Sequence, residues 1–219
     1  MPRRPALYIT ERSFTLVGVI QLYIAASLDG FVADVDGGFD WLDPYNGDDD
    51  HGYGEFIEGV GALVMGADTY ELFFGPLRDV SWPYGARPTW VFTHRSFAVV
   101  PGADVRFVSG DVRSVAEEVR ASAGGLDVWL VGGGDLVAQF LDAGLLDVVR
   151  LFVIPVALGA GIPLWRGPIP GALELVEVSG YEDGVAELRY EVARDPANGA
   201  HAGDADADGV DGIPGAAGS

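Results

Sequence analysis

Between Val128 and Leu136 an apolar run ends in three consecutive glycines, Gly132, Gly133 and Gly134, and passes directly into a helical pattern opened by Asp135 and Leu136. Residues without a Cβ let backbone N–H groups approach an anion closely, and the N-terminus of the following helix adds the positive end of its dipole. That chemistry suits a pyrophosphate. A plain tight turn is the competing reading, because the stretch matches neither of the better-defined phosphate motifs. The third glycine position of a dinucleotide fingerprint falls on Val137, and no Gly-Lys-Ser/Thr follows the glycines. Three other segments raise the prospect of a ligand site: Ala25–Ala33, with Ser27-Leu28-Asp29-Gly30 at its centre; Val64–Glu71; and Val91–Arg95. Each lies at the C-terminal end of a predicted strand, where open α/β sheets bind ligands. Hydrolase chemistry has no foothold. The sequence has no Gly-x-Ser-x-Gly elbow and no His-Glu-x-x-His helix, His51 has no partner at metal-ligand spacing, and the absence of cysteine removes thiolate nucleophiles and thiolate zinc sites. No metal is expected.

The elements that must position these segments alternate between strand and helix. Val19–Ala26, Gly61–Met65, Pro88–Thr93, Asp104–Val108 and Asp127–Val131 are short, apolar and β-branched, as core strands are. Val112–Ala121 and Asp135–Asp142 have helical spacing with acidic residues toward their starts. After Leu145 three longer strands are predicted, Val148–Pro155, Leu173–Ser179 and Val185–Val192, the last two joined by a Glu-Asp-Gly turn. The expected fold is an α/β three-layer sandwich: a mostly parallel central sheet, helices on both faces, and antiparallel C-terminal strands closing one edge. Residues 1–18 read as an N-terminal extension, 19–193 as one domain, and 194–219 as an acidic tail too poor in apolar residues to order itself.

Charge limits the partners. Thirteen basic against 33 acidic residues give a net charge of −20, a field that repels phosphate backbones and excludes nucleic acid as the expected partner. Every basic residue is arginine. An acidic surface of this kind is suited to a salt-rich, halophilic cytoplasm, where counterions shorten the reach of self-repulsion to about 3 Å at 1 M salt; an ordinary acidic protein is the alternative. No apolar run is long enough for a membrane span, so a cytoplasmic location and a small-molecule substrate are expected.

Four ordered motifs carry a resemblance: Ser27-Leu28-Asp29-Gly30, Met65-Gly66-Ala67-Asp68-Thr69-Tyr70-Glu71, Val131-Gly132-Gly133-Gly134, and the stretch from Pro155 to Leu164. Over roughly Val19 to Val192 the sequence resembles the dihydrofolate-reductase-like superfamily, in the branch that contains the reductase domain of bacterial riboflavin biosynthesis. The resemblance implies a homodimeric reductase using NADPH, with NADH as the alternative, on a small heterocyclic or carbonyl-type substrate. It places Ala26, Ser27 and Asp29 beside the nicotinamide, Gly66 and Thr69 against the phosphates, and Gly132, Gly133, Gly134, Asp135 and Leu136 around the pyrophosphate. Thr93, His94 and Arg95 would approach the adenosine ribose. Where dihydrofolate reductases often carry cations, this sequence has Ala67-Asp68 and Asp135, which leaves His94 and Arg95 to hold a 2′-phosphate; an arginine there favours NADPH. By motif position Asp50 matches the carboxyl that helps protonate substrate, with Glu55 in reserve, although an acid at a helix start also serves as a cap. Asp29 is equally explained by turn geometry. Arg87 matches a substrate-tail arginine, against a plain surface role, and Trp41 with Trp82 and Tyr84 could wall a planar ring or simply anchor loops. Two alternatives stay open: a catalytically silent nucleotide-binding protein on the same scaffold, and a true dihydrofolate reductase.

Overall fold

A computed structural model describes residues 18–47, 49–74, 81–169 and 171–193. The N-terminal extension and the acidic tail expected from composition therefore lie essentially outside the described residues. Eight strands form the main sheet: β1 (Ile20–Ser27), β3 (Val60–Gly66), β4 (Thr89–Phe92), β5 (Val105–Val108), β6 (Asp127–Gly132), β7 (Val148–Ile154), β9 (Leu173–Gly180) and β10 (Ala186–Val192). Their order is β5-β4-β3-β6-β1-β7-β10-β9. The contacts from β5 through β7 are parallel, and β10 runs antiparallel to both β7 and β9.

Strands buried on both faces explain the continuous apolar runs. On one side Ile20, Leu22, Val64, Val128 and Leu130 meet α3 (Ala116–Ser122) and α4 (Gly134–Asp142) through Val119, Val137 and the fully buried Phe140. On the other, Leu63, Met65, Val91 and Trp129 meet α1 (Tyr53–Glu58) and α2 (Ala67–Phe74) through Phe56 and Tyr70. This is the three-layer α/β arrangement expected. Gly61 is set by the packing itself: a Cβ there would stand 2.0 Å from the Ala123 carbonyl oxygen at the end of α3.

The expected strands recur with boundaries shifted by one or two residues. One predicted helix divides. Val112–Ser114 is a 3₁₀ turn capped by the Asp111 carboxylate, which accepts from the Arg113 N–H, and Val115 at φ −117° separates it from α3. Two short strands were outside the expectation: β2 (Phe31–Ala33) and β8 (Ile162–Pro163) pair antiparallel in a separate ribbon. The N-terminus of β1 is held by two acids. Asp127 accepts from the Gly18 and Val19 amides and from Gln21, and buried Asp147 accepts from the Ile20 amide and Arg120. Among the described residues no helix is long and apolar enough to cross a membrane.

Candidate active site

At the C-terminal edge of the parallel strands lies a cleft of about 640 Å³, within the range that takes cofactor-sized ligands. Its floor is made where the β3–α2 and β6–α4 junctions converge. Gly133 has φ +98°, open to glycine and strained for other residues, and it leads into the first turn of α4. A Cβ on Gly133 would stand 3.6 Å from Thr69 Oγ1 and 3.7 Å from Gly66 Cα, filling the gap between the two junctions; a Cβ on Gly134 would stand 3.1 Å from Arg166 Cγ. The cradle is thus a backbone-lined groove at a helix N-terminus, which fits a pyrophosphate. Strand order divides the cleft around it. Toward β1 and the β2–β8 ribbon the walls are mostly apolar, with Ile24, Val32, Ala33, Ile162 and Leu164, and carry Asp36 and Arg166 where the chain leaves the two ribbon strands. Toward β3 and β4 they are Ala67, Asp68, Glu71, Leu72 and Phe92. An extended ligand with one apolar, aromatic end and one hydroxylated end, joined by an anion, matches that division, so the residues present fit a nicotinamide dinucleotide.

Six of the expected residues line the cleft: Gly66, Thr69, Gly133, Gly134, Asp135 and Leu136. Gly132 is buried directly beneath, with φ +145°, where a Cβ would meet Ile24 Cδ1 at 3.6 Å. Ala26 lies in the core at the end of β1. Ser27, also buried, donates its hydroxyl to Asp29 Oδ1 at 2.7 Å and accepts from the Phe31 amide. Asp29 then accepts from the amides of Leu158 (3.0 Å) and Gly159 (2.7 Å), tying the loop after β1 to the segment before β8. These hydrogen bonds, led by that of Ser27, hold its carboxyl down at about 2. A carboxylate so engaged fixes the cleft wall rather than exchanging protons near neutrality.

Thr93, His94 and Arg95 follow β4 beside the acidic end of the cleft. Thr93 Oγ1 accepts from the Arg95 amide, His94 is exposed, and the Arg95 guanidinium is engaged by Asp68 (2.5 Å) and Glu71 (2.8 Å). Asp50 caps the approach to α1: its two oxygens accept from the Gly52 and Gly54 amides at 2.9 Å. Trp41 packs with Leu42 and Tyr45 against Phe152 and Ile154, in the cluster that also holds Tyr23. Arg87 sits at the N-terminal ends of β3 and β4, the edge of the sheet away from the cleft, and donates to the carbonyls of Val60, Ile57 and Tyr84. It clamps backbone. Trp82 and Tyr84 pack on Phe74 and on each other in tilted and edge-to-face contacts, as loop anchors, and burial pushes the Tyr84 hydroxyl up to about 12.

Sequence reasoning missed Arg166, the only cation among the described residues lining the cleft, 3.5 Å from Asp135. It lies two residues beyond the Pro155–Leu164 stretch, and its place after that motif was the available signal. Phe39 was missed too: it stacks on Phe73 of α2 at 5.6 Å, bridging the loop after β2 to the opposite wall. Single aromatics in a Gly/Asp loop carry no periodic pattern.

The three-layer sheet with its glycine-lined cleft is a dihydrofolate-reductase-like fold. It aligns with dihydrofolate reductase from Enterococcus faecalis, a structure complexed with NADP(H), at a TM-score of 0.55 and 20% identity over 82% of this chain and 100% of that one. The chain belongs to the family of the RibD C-terminal domain, whose model matches residues 19–186. It is similar to a putative riboflavin biosynthesis protein from Shewanella sp. PV-4, with a TM-score of 0.68 and 28% identity covering 80% of this chain and 99% of that one. It is also 37% identical over 145 residues to the uncharacterized protein YwjB of Bacillus subtilis, covering 66% of this chain and 81% of the relative.

Proposed function

We propose that this protein is a cytoplasmic NAD(P)H-dependent reductase that transfers hydride to a small heterocyclic or carbonyl-type substrate. The observation that carries the reading is the groove between Gly66 and Gly133, whose glycines leave space for an anion at the N-terminus of α4. When bound, the dihydronicotinamide would supply the hydride; the chain supplies position and electrostatics. The opening turn of α4 and Arg166 would hold the pyrophosphate. Ile24, Val32 and Ile162 would exclude water from the reacting end, while Asp29 keeps the Ser27–Gly30 loop in place against Leu158 and Gly159. Asp50 is the proposed source of a proton for the substrate, near Tyr23, whose hydroxyl burial pushes well above its ordinary range. Trp41 would wall the substrate ring.

The substrate is read as non-phosphorylated, because cations at the cleft are few. A homodimer is supported by the far end of the sheet: Leu151, Leu188 and Val178 stand in one row across β7, β10 and β9, only partly buried, while α3 and α4 pack on β3 and β6. One observation favours a second reading, nucleotide binding without turnover: both Asp50 oxygens already accept amides. The test is calorimetric titration with NADPH and NADH in roughly 2 M KCl, chosen to screen the acidic surface. A panel of pterins, pyrimidines and small carbonyl compounds is then followed by loss of reduced-cofactor absorbance. Cofactor binding with oxidation on one substrate class is the expected result. Binding without oxidation on any substrate selects the silent reading, and failure of both cofactors to bind refutes the two together.

A further inference from the structure

The geometry points to Asp68 and Glu71 as the residues that set the choice between NADPH and NADH, by occupying Arg95 so that the chain discriminates little between the two. This rests on the reductase reading above and deepens it. The 2′-phosphate that distinguishes NADPH needs a cation at the hydroxylated end of the cleft. Of the described residues lining the cleft, Arg166 alone is cationic, and it stands at Gly134 beside the pyrophosphate groove. Arg95 is the cation nearest the other end, and both terminal nitrogens of its guanidinium are engaged by carboxylates: Nη1 donates to Glu71 Oε2 at 2.8 Å and Nη2 to Asp68 Oδ1 at 2.5 Å. The guanidinium also lies over the Phe97 ring, 5.0 Å from its centre.

Asp68 and Glu71 lie one turn apart at the start of α2 and both line the cleft. Together with Arg95 they form a trio of net charge −1. An incoming phosphate dianion must compete with two carboxylates for Arg95 and lie beside their negative charge. A free Arg95 would instead offer it a bidentate, charge-assisted grip. NADH meets no such conflict. Its ribose hydroxyls are donors, and Asp68, 97% exposed at its side chain, is an acceptor for them. The preference for NADPH that Arg95 would confer is thereby cancelled by its own neighbours, a discrimination produced by repulsion as much as by attraction.

The test measures dissociation constants of both cofactors by calorimetry at two salt concentrations, for the wild type, Asp68→Asn/Glu71→Gln, Arg95→Ala and the triple variant. Thermal melting verifies that each variant is folded. The wild type is expected to bind the two cofactors within about threefold of each other, and the double variant to shift their ratio toward NADPH by about tenfold or more. Adding Arg95→Ala to the double variant should abolish that shift, and added salt should shrink it. A wild type that binds NADPH more than about thirtyfold tighter than NADH overturns the inference. So does a double variant whose ratio does not move, or whose shift survives loss of Arg95. Each of those outcomes leaves cofactor binding, and hence the reductase reading, standing. Failure of either cofactor to bind any of the four proteins removes the reading and the inference with it.

Discussion

Replacing Glu187 by alanine should destabilise the domain by about 3 kcal/mol. Glu187 is 8% exposed on β10, where Arg150 Nε donates to its Oε1 at 2.6 Å and the Tyr181 hydroxyl donates to its Oε2 at 3.2 Å. Arg150 lies on the neighbouring β7, 19% exposed at its side chain, with its guanidinium 5.2 Å from the Tyr23 ring and 5.4 Å from the Phe56 ring. Removing one partner of a buried pair strands the other charge, at a cost of about 3–5 kcal/mol. The lower end applies here, because Arg150 keeps two aromatic faces and a path to water. Tyr181 adds less than about 1 kcal/mol, since its hydroxyl retains the His51 carbonyl at 2.9 Å. In urea, with a slope of about 2 kcal/mol per molar, the midpoint should fall by about 1.5 M. The double replacement Glu187→Leu with Arg150→Met, which leaves no stranded charge, should return to within about 1 kcal/mol of the wild type. Equilibrium urea unfolding followed by tryptophan fluorescence measures all of these. A cost below about 1 kcal/mol for Glu187→Ala, or a double variant as unstable as the sum of the singles, would refute the argument.

Gly133→Ala should weaken binding of both nicotinamide cofactors at least tenfold and cost about 1–3 kcal/mol of stability, because φ is +98° and the new methyl fills the groove facing Thr69 and Gly66; calorimetry and urea unfolding check the two effects. Gly61→Ala should cost about 3 kcal/mol or more, the upper end for overpacking, since the methyl overlaps the Ala123 carbonyl, and thermal melting reads it. Asp29 has a folded pKa of about 2, below its ordinary 3.8. Its contribution to stability is therefore fully present above pH 3.8 and disappears as pH falls through about 2. Wild type minus Asp29→Asn stability, measured between pH 2 and 5, should shrink toward the acid end, and a difference that grows on acidification contradicts the assignment.

The sheet was legible because its strands are buried on both faces: Ile20–Ser27 and Asp127–Gly132 are apolar nearly throughout, and the glycines after the second mark where the chain must turn closely. The antiparallel edge was legible from the Glu-Asp-Gly turn, where Gly184 takes φ +91° and Asp183 accepts from the Val185 amide. The β2–β8 ribbon was not, since three residues near the start of the domain and two far along the chain leave no periodic signal. The glycine groove followed from local pattern, as glycine is required there by backbone alone. The fates of Asp29, Arg87 and Arg95 did not. Each is decided by partners brought in by the fold: Leu158 and Gly159 for the first, Val60 and Ile57 for the second, Asp68 and Glu71 for the third. A motif names a residue's address; long-range contacts determine whether its charge is available.

The two walls of the cleft belong to different mechanical bodies. Gly66, Gly133 and α4 are continuous with the eight-stranded sheet, whereas Ala33 and Ile162 belong to the two-stranded ribbon, and a pair of strands this short has little stability of its own. What restrains the ribbon is its stitching: the Leu164 amide to the Gly30 carbonyl, the Asp29 carboxylate, and the close approach of Gly161 to the Ala33 carbonyl. The protein therefore has a stiff jaw and a compliant one. Amides of the ribbon should exchange with solvent through small local openings, while those of β6 wait for global unfolding. If a long ligand presses on the walls as it enters, the ribbon is the wall expected to yield, and the sheet that supports the domain need not strain to admit it.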